Sequence, residues 1–230
     1  MTTIAARLQA VRSRIATAAA AAGRSPQDIR LIAVSKTFAP AAISEAHGAR
    51  QTVFGESYVQ EAQAKIAVLP PHLEWHFIGP IQSNKTRQIA ELFAWAHSVD
   101  RLKIAERLSS SRPAGLPPMQ ICIQVNVSGE ESKSGVRAEE ALALAKAISV
   151  LRGIRLRGLM TIPEPGADMQ ALKSQFRQVR ELKDEIVGYG IALDTLSMGM
   201  SDDLEAAIAE GATMVRVGRA IFGQRLPHSG

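Results

Sequence analysis

The chain of 230 residues contains one cysteine, Cys122. An internal disulfide is therefore excluded, and a reducing compartment fits. Cys122 sits in the apolar run 120–125, where a buried, inert thiol is expected before a nucleophile. Aromatic residues make up only 4%, and the basic residues form no block. A net charge of +5 favours anionic ligands, but with no basic stripe and few rings to stack bases there is no nucleic-acid footprint. No apolar run approaches a membrane span. The stretch 1–22 is alanine-rich and amphipathic, with Arg7, Arg12 and Arg14 spaced through it. It lacks an apolar h-region and a cleavage pattern, so it reads as a helix of the mature protein. A soluble, cytoplasmic protein without nucleic-acid or membrane partners is expected. No G-x-G-x-x-G follows the first strand and no G-x-S-x-G occurs. The five histidines show no metal-ligand spacing: His47 lies near a helix end, His72 after two prolines, and His228 in the tail. His76 and His97 fall on separate strands and read as core histidines.

What is present is alternation. The hydrophobic fraction of 46% suffices for a sizeable core. Strand-like runs occur at 31–35, 52–56, 73–78, 94–99, 120–127, 154–160, 193–197 and 213–217. Helical patterns separate them: 40–47, 58–69, a helix capped by Ser83, one capped by Asp100, 139–150, 168–187, and one capped by Ser201. In the fifth strand Ile121, Ile123, Val125 and Val127 alternate with Cys122, Gln124 and Asn126. One face should meet helices and the other should line something more polar. The segment 109–118 is proline-bearing and polar, a surface loop too short to divide domains. Eight such units predict a single (β/α)8 TIM barrel over residues 1–230, with an open doubly wound sheet as the alternative.

A barrel of this kind carries its site at the carboxyl ends of its strands. Those ends are Lys36, Glu56 with Ser57, Gly79, Asp100, Asn126, Met160, the run Ser197 to Ser201, and Arg216 to Arg219. Lys36 is the one strand-end lysine on an inward face. Burial would lower its pKa and free the amine for Schiff-base chemistry. The competing reading is a lysine that snorkels from the strand end into water. The loops after the seventh and eighth strands are rich in glycine, serine and arginine, and such loops commonly hold phosphate. Gly199 and Gly218 would admit backbone, Ser201 a hydroxyl, and Arg219 a charge; a tight turn with an ordinary cap at Ser201 explains the same residues. Asp202 and Asp203 would have to point away from a phosphate. Arg216 interrupts an apolar strand and needs a partner: a ring nitrogen, an anion, or a carboxylate at the barrel mouth.

Several blocks resemble the pyridoxal 5′-phosphate (PLP) homeostasis proteins. They are Ala33-Val34-Ser35-Lys36-Thr37, Phe54-Gly55-Glu56-Ser57-Tyr58-Val59-Gln60-Glu61 and His76-Phe77-Ile78-Gly79-Pro80-Ile81-Gln82-Ser83-Asn84-Lys85. Val125-Asn126-Val127-Ser128 with Ser132-Lys133-Ser134-Gly135, Arg157-Gly158-Leu159-Met160, Leu196-Ser197-Met198-Gly199-Met200-Ser201-Asp202-Asp203 and Val215-Arg216-Val217-Gly218-Arg219-Ala220-Ile221-Phe222-Gly223 continue the likeness to the eighth strand. The resemblance implies a barrel related to the amino-terminal domain of alanine racemase, with PLP held as an internal aldimine on Lys36. It implies that Arg216 faces the pyridine nitrogen and that Ser201, Gly218 and residue 219 bind phosphate, with Ser57, Met160 and Ser197 completing the cofactor site. Three positions depart from the family pattern. Ser57 replaces the usual Asn, Arg219 replaces Thr or Ser, and Phe38 stands where a second lysine is common. The last puts transfer through a second amine in doubt.

The expected function is a carrier or regulator of intracellular PLP, without established catalysis, with apo-PLP enzymes as acceptors. An arginine at the ring nitrogen leaves it unprotonated and the ring a weak electron sink. No racemase-like second domain or its dimerisation surface is expected after strand eight, which favours a monomer. The alternatives are a PLP-dependent amino-acid racemase or lyase, and a Schiff-base aldolase acting on a sugar phosphate.

Overall fold

Short strands that are apolar on both faces need cover on both, and a closed ring of parallel strands under a coat of helices provides it. In the computed structural model of the protein, which describes residues 2–128, 134–164 and 166–224, that ring is closed. Its strands are β1 (Arg30–Val34), β2 (Val53–Glu56), β3 (Glu74–Phe77), β4 (Trp95–Val99) and β5 (Met119–Asn126). After the two-residue β6 (Val136–Arg137) come β7 (Ile154–Met160), β8 (Thr195–Ser197) and β9 (Met214–Val217). All pairings are parallel; β4 pairs β5 and β9 returns to β1, so eight strands form a barrel. β6 lies outside the ring against the end of β5, and the alternation did not predict it. Ser132 and Lys133 of the resemblance, and His228, lie outside the described residues.

The helices are α1 (Ile4–Ala21), α2 (Pro40–Gly48), α3 (Val59–Ile66), α4 (Thr86–Leu92), α5 (Leu102–Ser111), α6 (Ala138–Ser149), α7 (Met169–Gly188), α8 (Leu204–Ala209) and α9 (Arg219–Phe222). α1 packs on α2, α8 and α9, seating Leu8, Val11 and Ile15 in the outer core. Among the described residues no helix is long and apolar enough to cross a membrane. Asp168 caps α7, its Oδ1 accepting from the Ala171 amide at 2.8 Å. Three expected caps differ. Ser83 opens a 3-10 turn that precedes α4. Asp100 spends its carboxylate on Arg101, 2.7 Å away, while Arg101 itself holds the cap position of α5. Ser201 sits in a turn, and α8 begins after Asp203. At Asp100 and Ser201 another group takes up the side chain that would have capped the helix.

Alternation along each strand decides which residues meet inside. Ile32, Val53, Trp95, Cys122, Met160 and Met214 form an interior cluster separate from the larger core between strands and helices. On β1 the parity that puts Ile32 inside carries Val34 and Lys36 inward as well. On β9 the same parity takes Met214, Arg216 and Gly218 inside and leaves Val215 and Val217 to the helices. β5 divides as expected, with Ile121, Ile123 and Val125 in the outer core and Cys122 inside. Burial pushes the Cys122 thiol up to about 12, which makes it inert.

Ser35 and Glu56 fall on the opposite parity and face α3. There Ser35 Oγ donates to Glu56 Oε1 at 2.6 Å. Lys65 Nζ from α3 donates to the same oxygen at 2.7 Å, to the Ser35 carbonyl at 2.8 Å and to Glu61 Oε1 at 2.5 Å. Glu61 Oε1 also accepts from the Thr37 amide at 2.5 Å, and Thr37 is held at a φ of 70°. Lys36 is thus bracketed by two residues fixed from behind. Burial pushes the Glu56 carboxyl above its ordinary range, against the pull of Lys65 and Ser35, and its second oxygen has no hydrogen-bond partner. Removing the lysine leaves two acids near one another without their cation, so Lys65→Met should lower the urea-unfolding free energy by about 3 kcal/mol. Adding Glu56→Gln should recover part of the loss. A single-variant loss below about 0.5 kcal/mol, the ordinary surface value, would show that this cluster does not hold the end of β1.

Candidate functional site

At the carboxyl end of the barrel the strand ends enclose a cavity of about 690 Å³. Lys36, Ser201, Arg216, Gly218 and Arg219 line it, with Val34 and Ile78 forming an apolar wall. Five of the eight residues expected at the site therefore meet around one space. Ser57, Met160 and Ser197 do not line it. Met160 is buried in the interior cluster below. Ser57 is half-buried and its backbone packs against Gly79, where a Cβ would come within 2.5 Å of the Ser57 carbonyl. Ser197 is fully buried and reaches the cavity only through Arg216.

Arg216 is 4% exposed. Its Nη1 donates to the Ser197 carbonyl at 2.6 Å and to Ser197 Oγ at 2.8 Å, and its Nη2 donates to the Thr161 carbonyl at 2.9 Å. Three of the five guanidinium protons are thereby placed. Every one of these acceptors is neutral, and none of the ion pairs among the described residues includes Arg216. Burial pulls its pKa down to about 10, against the pull of Asp203. The carboxylate partner at the barrel mouth that sequence alone left open is absent among the described residues. Thr161, just beyond β7, was not anticipated; a carbonyl acceptor leaves no trace in side-chain chemistry.

The Gly- and Arg-rich loops are tied to each other and to α1. The Ser201 carbonyl accepts from Arg14 Nη2 at 2.9 Å, and Ser201 Oγ accepts from the Ala220 amide at 3.5 Å. Arg219 is ion-paired with Asp202, and both side chains are largely exposed at the cavity rim. Asp203 accepts from the Met200 amide. Gly199 has a φ of 94°, and a Cβ there would come within 2.6 Å of the Ala207 methyl. Its missing side chain makes room for α8, so the backbone approach expected of it is accounted for by packing. Gly218 lies in the wall, where a Cβ would sit 3.3 Å from the Val34 carbonyl. Phe38, at the position where a second lysine is common, stacks on Phe222 at 5.0 Å.

Beneath Arg216 two buried histidines meet. His97 Nδ1 lies 2.8 Å from Ser197 Oγ, and His97 Nε2 lies 2.9 Å from His76 Nδ1. His76 Nε2 is 2.7 Å from Glu74 Oε1. Burial holds both imidazoles below the ordinary histidine pKa, in His76 against the pull of Glu74. Among the described residues no group of histidine, cysteine and carboxylate side chains could hold a metal ion.

The sequence profile described as alanine racemase, N-terminal domain, matches residues 6–226. A pyridoxal phosphate homeostasis protein of Pseudomonas aeruginosa is 60% identical over 228 residues, covering 98% of this chain and 97% of that one. That of Escherichia coli K12 is 51% identical over 232 residues, covering 98% of each. The solved structure of PipY from Synechococcus elongatus with PLP bound has a TM-score of 0.85 at 38% identity, over 96% of this chain and 100% of that one. Alanine racemase from Corynebacterium glutamicum shares the fold, with a TM-score of 0.67 at 18% identity over 97% of this chain and 63% of that one. With the family model spanning residues 6–226 and relatives 51% and 60% identical over 98% of its length, the chain belongs to the alanine racemase N-terminal domain family, among the pyridoxal phosphate homeostasis proteins.

Proposed function

We propose that the cavity binds PLP and that the protein is a carrier and regulator of intracellular PLP, its 1–230 span acting as one cofactor-binding domain. The observation that carries this reading is the meeting of one amine, Lys36, and one buried guanidinium, Arg216, in the wall of a single cavity. The donor set fits the cofactor. A primary amine suits its aldehyde carbon, a cation suits an unprotonated ring nitrogen, and the apolar wall of Val34 and Ile78 suits the ring. Ser201, Gly218 and Arg219 would hold the phosphate at the rim. Arg219 would do so with Asp202 beside it, so the clamp is a shared cation and not a free one. Ser57, Met160 and Ser197 contribute from outside the wall, Ser197 by fixing Arg216. The PLP bound in PipY, a relative at 38% identity, supports the same occupant here.

When bound, PLP supplies an electrophilic carbon and an electron sink. An arginine at the ring nitrogen disfavours ring protonation and weakens that sink. Of the carboxylates in the described cavity wall, Asp202 is occupied by Arg219 and Asp203 by the Met200 amide. Glu164 is the one carboxylate among them left as a candidate base beside the Lys36 amine, and it stands on an exposed loop. General acid–base help is worth roughly 10²–10⁴-fold, so its poor provision favours holding the cofactor over turnover. A soluble, cytoplasmic monomer handing PLP to apo-PLP enzymes is the corresponding cellular picture. With Phe38 packed on Phe222, that handover proceeds without a second amine at position 38.

Two measurements test this. PLP should bind far more tightly than pyridoxal, and Ser201→Ala combined with Arg219→Ala should remove most of the difference; equal affinities in the unaltered protein would refute the phosphate cradle. Amino acids incubated with the PLP-loaded protein in D₂O should show negligible deuterium incorporation at Cα while an apoenzyme acceptor gains activity. Lys36-dependent exchange at the rate of a racemase would replace the carrier with the enzyme alternative.

A further inference from the structure

The interior of the barrel holds a continuous polar file in an otherwise apolar cluster. It runs from Arg216 at the cavity through Ser197, His97 and His76 to Glu74 at the start of β3, where Arg30 closes it at 2.9 Å. The chemistry of its two ends fixes the direction of each link. A guanidinium only donates, so Ser197 Oγ accepts from Arg216. The single serine proton is then available for His97 Nδ1, which accepts. His97 must carry its proton on Nε2 and donates it to His76 Nδ1. His76 likewise carries its proton on Nε2 and donates to the Glu74 carboxylate, which only accepts. In the reverse sense a bare His76 nitrogen would face the carboxylate, unless His76 were a buried imidazolium.

The surroundings favour the neutral rings. Trp95 stacks on His76 at 5.3 Å and flanks His97 at 5.7 Å. The other ionisable groups bearing on the pair are Arg216, Arg30 and Glu74. Two of those three are cations, which oppose a further positive charge. Glu74 ends the file as a carboxylate: desolvation opposes its ionisation, but the hydrogen bonds from His76 and Arg30 and the charge of Arg30 hold its pKa below the ordinary carboxylate range. The file therefore places a fixed anion at the far end of a row of aligned dipoles that starts on Arg216.

We propose that His97, acting through Ser197, is a positioning residue for Arg216, and that His76 and Glu74 complete a one-way hydrogen-bond chain holding the guanidinium toward the cofactor's pyridine nitrogen. The chain is a property of this protein's own residues; its service to the cofactor rests on the PLP reading above. It does not relay protons, because moving one along it would require Arg216 to give one up. Its effect is orientation and electrostatic support for a cation that has no ion pair of its own.

Nitrogen-15 NMR of the cofactor-free protein tests the chain directly. At pH 7 His76 and His97 are expected to be neutral with the proton on Nε2. A proton on Nδ1 of either ring, or an imidazolium, overturns the assignment. His97→Phe should keep an aromatic ring and break the chain, while His97→Gln keeps a donor and an acceptor. In His97→Phe the Arg216 guanidinium protons should exchange about tenfold faster and PLP should bind about tenfold more weakly, the scale of one buried hydrogen bond. The visible absorption maximum of the loaded protein should shift as well. His97→Gln should restore much of all three. Unchanged Arg216 exchange in a folded His97→Phe protein refutes the positioning role. If the unaltered protein binds no PLP, the cofactor reading falls, while ring tautomers and Arg216 exchange still decide whether the chain exists.

Discussion

A guanidinium is buried at the mouth of a parallel barrel with only neutral oxygens bonded to it, and the rest of the site is arranged around that fact. Isolating a charge from water costs several kcal/mol even after relaxation. Here the cost is offset by two carbonyls and a hydroxyl on Arg216, and by the file of dipoles ending on Glu74. A carboxylate on Arg216 would have been the simpler remedy for stability. It would also have used the fork that the cavity presents to a ligand. Holding the cation with neutral acceptors keeps it oriented and still in need of a partner.

The second constraint is the parity of β1. A strand with one face inside a barrel and one under a helix sends successive residues to opposite environments. Lys36 goes to the cavity because Ile32 and Val34 precede it on the inward face, and Ser35 goes to the helix side, where Lys65 and Glu56 take hold of it. Thr37, with its positive φ and its amide on Glu61, turns the chain immediately after. The amine is thus aimed by a polar cluster on the far side of the sheet from the cavity. β9 repeats the arrangement, with Arg216 and Gly218 inside and Val215 and Val217 outside.

Much of this was legible in the sequence because it depends on period. All eight barrel strands stand where alternating apolar runs placed them, and Lys36, Ser201, Arg216, Gly218 and Arg219 meet because barrel strand ends must converge. The parts that were not legible depend on partners distant in the chain. Lys65 reads as one more helix residue until α3 lays it over Glu56. His76 and His97 read as separate core histidines until adjacent β3 and β4 bring them to 2.9 Å. The caps at Asp100 and Ser201 failed because each side chain has a competing contact, and cap preference is worth only about 1 kcal/mol; at Ser83 a 3-10 turn comes before the helix. Gly199 misled because a glycine that admits a helix and one that admits an anion look alike in sequence.

The account stands on Lys36 being the amine that holds PLP. Borohydride reduction of the PLP-loaded protein, followed by digestion and mass spectrometry, reads this directly. A single pyridoxyl-phosphate adduct on the peptide carrying Lys36, absent in Lys36→Ala, is the predicted result. An adduct on Lys65, Lys85 or Lys133 instead, or full labelling of Lys36→Ala, would contradict it.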